Sequence, residues 1–101
     1  MRSTGRCTFA TDGGVVYSCN TLTDITSATL AANCAAPGVF TADQSCSADN
    51  AVGTCTITSG TAGASIVAYF YAPNACAAAK TACNGTTAPA GGTVTFSGNG
   101  C

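Results

Sequence analysis

Eight cysteines hold most of the chemistry in this chain: Cys7, Cys19, Cys34 and Cys46, then Cys55, Cys76, Cys83 and Cys101. Sulfur can ligate a metal, attack as a thiolate, or crosslink. Histidine is absent and no Cys-x-x-Cys pair occurs, so neither a zinc site nor haem attachment can be completed. An even cysteine count in so short a chain then reads as a disulfide framework formed in an oxidising compartment. Nucleophile–base catalysis needs a histidine, or a lysine or carboxylate of tuned pKa. Lys80 is the only lysine, glutamate is absent, and Asp12, Asp24, Asp43 and Asp49 fall in expected turns or caps, where aspartate commonly bonds backbone. Asp43 with Asp49-Asn50 is too sparse for a calcium loop. Gly91-Gly92 lacks phosphate-loop spacing. The expectation is a non-enzyme with no metal and no cofactor.

The elements that carry these cysteines follow from period and punctuation. Cys7-Thr8-Phe9 and Cys55-Thr56-Ile57 open strands, and a Gly-rich turn follows each, at Asp12-Gly13-Gly14 and at Gly60 to Gly63. Val15-Val16-Tyr17 and Ile66 to Tyr71 form the next strands. The second lacks clean alternation and reads as a central strand covered on both faces. Short helices are expected over about Asp24 to Ala35, capped by Thr23 or Asp24 and stopped by Pro37-Gly38, and over about Asn74 to Cys83. In the second, Pro73 suits the entry, Lys80 the C-terminal dipole end, and Asn84-Gly85 a left-handed cap. Asn84-Gly85-Thr86 is also a glycosylation sequon, but the cap is the preferred reading. Closing strands run from Ala36 to Thr41 and from Ala90 to Phe96.

The halves therefore read alike. First cysteines lie 48 residues apart, which indicates a two-fold internal repeat. The fold expected is mainly β with short helices (α+β), a small disulfide-stapled domain of two pseudo-repeated modules. Residues 1–6 form an N-terminal arm, 7–46 the first module, 47–54 a linker and 55–101 the second, packed as one unit. Seven residues along one helix separate Cys76 and Cys83 by about 10.5 Å, too far to bond each other. The preferred pairing is helix to closing strand, Cys34–Cys46 and Cys83–Cys101, with Cys7–Cys19 across the first hairpin and Cys55–Cys76 to match.

Composition sets the energetics. Only 15 residues are Leu, Ile, Val or Phe, and a chain this size buries only about two-thirds of its unfolded surface. Disulfides worth roughly 2–4 kcal/mol each can then decide whether it folds. Seven residues are charged and the net charge is −1, so no basic face exists for nucleic acid. The surface is Thr, Ser, Asn, Ala and Gly, which repels neighbours weakly. No apolar run reaches the ~18 residues of a membrane span. No signal peptide is read in the sequence, and if the protein is exported the expectation is that its leader has already been removed.

Some short motifs resemble known families. Eight cysteines in this length resemble hydrophobins, but the adjacent Cys-Cys doublets are missing. Thr54-Cys55-Thr56 resembles a turn of insect ice-binding solenoids without their twelve-residue period. Gly53-Thr54-Cys55, the Tyr69-Phe70-Tyr71 strand and Cys34 followed by Gly38-x-Phe40 resemble small cysteine-rich secreted or surface proteins of delta-proteobacteria. That group brings no function with it.

The function expected is structural: a secreted or cell-surface subunit of a filament, pilus-like fibre or surface layer, self-associating as a homo-oligomer or polymer. Met1, Arg2, Ser3 and Thr4 are the candidate contact residues, as an arm adding a strand to a neighbour. Tyr69 and Tyr71 are further candidates, since a tyrosine strand can stack on a partner. The alternative is a secreted binding module for carbohydrate, ice or a host protein, using Thr54, Thr56, Thr93 and Thr95 or the tyrosine strand.

Overall fold

A computed structural model of the 101-residue chain describes residues 2–59, 64–88, 90–98 and 101. Its elements are β1 (Arg2–Ala10), β2 (Val16–Thr26), α1 (Ser27–Asn33), β3 (Val39–Ala42), β4 (Ala51–Thr58), β5 (Ser65–Tyr71), α2 (Cys76–Asn84) and β6 (Thr93–Gly98). All six strands join one antiparallel sheet in the order β3-β1-β2-β5-β4-β6. The fold is mainly β with two short helices and four disulfides. Each half runs strand, strand, helix, strand, and β2 joins β5 where the halves meet.

Residues directly opposite across a sheet share a face. The register sets Phe40, Cys7, Asn20, Ala68, Cys55 and Phe96 in one row. Cys7 bonds Cys34 at the end of α1, and Cys55 bonds Cys83 in α2. Both helices therefore pack on the same face. Phe9 and Phe70 lie on that face by alternation, so it gathers all four phenylalanines. The buried interior is small: among the described residues, five of the eight buried hydrophobics are cysteines, with Leu22, Ile25 and Ala79. Sulfur fills space that larger side chains would fill elsewhere.

The disulfides depart from the expected pairing. They are Cys7–Cys34, Cys19–Cys46, Cys55–Cys83 and Cys76–Cys101. The first hairpin shows why Cys7–Cys19 fails. Its turn sets Ala10 opposite Val16, a register that would bring Cys7 opposite Cys19. An extra residue then enters β2, and Phe9 faces Ser18. That bulge moves every later pair by one, so Cys7 faces Asn20 and Cys19 points to the other side. Cys34 follows Cys7 to the helix face, which rules out Cys34–Cys46. Cys101 bonds the start of α2, leaving Cys83 to β4.

Other boundaries move as well. The first helix starts at Ser27, not near Asp24, because Asp24 (φ 51°) makes a bulge inside β2 and Ile25 is buried beyond it. Thr26 is the N-cap, its hydroxyl accepting from the Thr29 amide at 3.2 Å. In α2, Lys80 sits mid-helix and Gly85 is right-handed (φ −80°), so neither expected C-terminal device operates. β5 is central but half-buried throughout rather than covered on both faces. The closing strands start and finish later than expected, at Val39–Ala42 and Thr93–Gly98. The Gly60 to Gly63 turn and Met1 lie outside the described residues.

Candidate functional site

The sheet's second face carries no helix. Its rows are Val39, Thr8, Cys19, Tyr69, Thr54, Ser97 and then Thr41, Arg6, Thr21, Val67, Thr56, Thr95; a third joins Thr23, Ser65, Thr58 and Thr93. Period-two threonines in β4 and β6 produce this surface, since alternation sends Ile57, Val94 and Phe96 to the helix side. Hydroxyls repeat at about 6.7 Å along each strand and roughly 4.8 Å between strands. Thr58 and Thr93 bond each other through their hydroxyls at 2.6 Å. The described strands β4, β5 and β6 contain no charged residue.

Part of this face is covered. β3 and β4 sit on opposite sides of the sheet centre, so residues 43–50 must cross from one to the other. Arg6 Nη1 donates to the Ser45 carbonyl at 3.3 Å, and the Cys46 amide donates to Thr21 Oγ1 at 2.9 Å. The Tyr71 hydroxyl donates to the Ser47 carbonyl, and Cys19–Cys46 makes the attachment covalent. Burial raises the Tyr71 pKa, Tyr69 adds to the rise, and Arg6 opposes it. The crossing strap is thus held by a neutral phenol.

Beside the strap lies a cleft of about 390 Å³. Arg6, Thr8, Ser47, Asp49, Asn50 and Tyr71 line it, with Val16 and the buried Cys19. Asn50 reaches the wall through a left-handed backbone (φ 63°).

The candidate contact residues separate on inspection. Arg2, Ser3 and Thr4 are not an arm: β1 begins at Arg2, where Arg2 pairs with Thr26 and Ser3 with Ile25. Thr4 is engaged on both sides, its hydroxyl accepting from Asp24 N at 3.0 Å and its carbonyl from Asp43 N at 3.0 Å. The expected 47–54 linker likewise ends inside β4, which begins at Ala51. Tyr69 and Tyr71 do share the open face, Tyr71 under the strap and Tyr69 between Cys19 and Thr54. Sequence reasoning missed Arg6, Asp49 and Asn50 as neighbours; the arginine set between Gly5 and Cys7 inside β1 was the available signal.

Asp12, Asp24 and Asp43 occupy a turn, a bulge and a strand end, and none of them lines the cleft. Among the described residues no cluster of potential metal ligands occurs, and no helix is long and apolar enough to cross a membrane. Comparison with protein-family models, curated proteins and solved structures finds no match.

Proposed function

We propose that the protein is a non-catalytic extracellular structural subunit that self-associates into a filament, pilus-like fibre or surface layer. The observation carrying this reading is the pair of uncharged outer strands, β3 and β6. Natural proteins usually blunt such edges with a very short strand, lysine, proline or a bulge, because an open edge templates pairing with another chain; β3 is short, at four residues, whereas β6 has six. Neither strand holds a charge or a proline. Four disulfides in so small a domain are compatible with an extracellular setting. The like order of elements and crosslinks in the two halves supports duplication of one module, which already joins its copy through β2 and β5.

The edges, rather than an N-terminal arm, would make the contact. With six antiparallel strands, β6 of one copy meets β3 of the next antiparallel, with helices kept on one side. Such a head-to-tail contact extends indefinitely wherever its rotation does not close a ring. Six strands at roughly 4.8 Å give a repeat of about 29 Å per subunit. Electron microscopy of the native material is expected to show fibres or sheets with that spacing. Thr95→Lys in β6 is expected to abolish assembly while leaving Tm unchanged. A chain that stays monomeric at millimolar concentration would overturn the reading.

The rows of hydroxyls favour one alternative, a binding module for carbohydrate, ice or a host protein. Replacing Thr54, Thr56, Thr93 and Thr95 together by valine would then remove ligand affinity with folding intact.

A further inference from the structure

The cleft beside the strap supports a reading independent of assembly. Its walls hold one cation and one anion, Arg6 and Asp49. Among the described residues these two form no ion pair: the Arg6 side chain bonds only the Ser45 carbonyl, and its Nε is buried without a partner. An anionic ligand would meet Asp49, and a cationic one would meet Arg6. A neutral ligand with neighbouring hydroxyls satisfies both, accepting from a guanidinium and donating to a carboxylate. Asn50 adds an amide able to donate and accept, and the Thr8 hydroxyl, which donates to the Val39 carbonyl at 3.3 Å, can still accept. Tyr71 and Val16 supply apolar surface for the carbon face of a ring. A volume of about 390 Å³ lies at the small end of ligand sites.

From this lining we infer that the cleft is a binding site for a neutral sugar of one or two rings. Arg6 and Asp49 fix its hydroxyls, and Tyr71 packs against its face. The site is separate from the strand edges, so it persists in an unassembled monomer. The strap forms one wall, so binding depends on Cys19–Cys46 being closed.

The test is a titration of the ¹⁵N-labelled monomeric protein, Thr95→Lys if the parent assembles, with glucose, galactose, N-acetylglucosamine, maltose and cellobiose. At least one sugar is expected to shift the amides of Val16, Asp49, Asn50 and Tyr71, with an affinity unchanged between low and high salt. Asp49→Asn is exposed and fold-neutral, and it is expected to weaken that sugar at least ten-fold; Arg6→Gln, checked for a native spectrum, does likewise. No shift with any of the five sugars would overturn the proposal. So would shifts confined to Thr54, Thr56 and Thr95, or tighter salt-sensitive binding of glycine or sulfate at the same residues.

Discussion

Tyr71 shows how single side chains hold this molecule in shape. Its hydroxyl donates to the strap at Ser47, and burial keeps it neutral above the ordinary tyrosine value of 10.0. Because the folded pKa is raised, the stability it contributes is fully present below pH 10 and is lost as pH rises through the folded value. Alkaline titration followed by circular dichroism is therefore expected to show loosening only above pH 10. Tyr71→Phe should remove that step and lower stability by about 1 kcal/mol at neutral pH. Gly5 makes a different demand. A Cβ there would lie 2.5 Å from the Thr41 carbonyl oxygen and 2.7 Å from the Phe40 ring, where β1 meets β3. Gly5→Ala is expected to destabilise the fold by roughly 1–3 kcal/mol, measurable as a lower urea midpoint.

Among the elements, the disulfides tie each helix to the sheet and the strap to the open face. Non-reducing peptide mapping is expected to return Cys7–Cys34, Cys19–Cys46, Cys55–Cys83 and Cys76–Cys101. Replacing Cys7 and Cys34 together by serine should cost about 2–4 kcal/mol, since that pair lies in the core with Leu22 and Ile25. The strands were legible in the sequence because threonine alternates with Cys, Ile, Val and Phe around Cys55 and Val94. The helices were legible from alanine and the nearby prolines, though not their starts. Asp24 looks like a helix cap but takes a left-handed bulge that prolongs β2, and no local preference distinguishes the two. The crosslinks failed for the same reason, since one bulged residue in β2 reverses which side Cys19 faces. A near-constant separation of 25 to 28 residues within each pair was the signal available. The cleft was illegible because Arg6 and Asp49 meet only after the strap crosses the sheet.

For the whole molecule, the shape is a slab of 34 × 28 × 19 Å with a greasy, helix-covered side and a hydroxylated one. Its stability is concentrated in covalent links, because the buried interior is too small to carry the fold by apolar burial alone. Full reduction is accordingly expected to drop Tm by tens of degrees, or to unfold the chain at 37 °C. A slab whose two outer strands carry no charge gains little from self-repulsion, so concentration rather than pH should govern its association.

The strap that joins the halves has one more outcome for the chain as a polymer. A protease cutting between Gln44 and Ser45 would divide the backbone on the near side of Cys46, yet the Cys19–Cys46 bond would still tether the fragments. The nicked species would migrate as a single band without reductant and as two with it. Severing this connector is therefore silent until a thiol arrives.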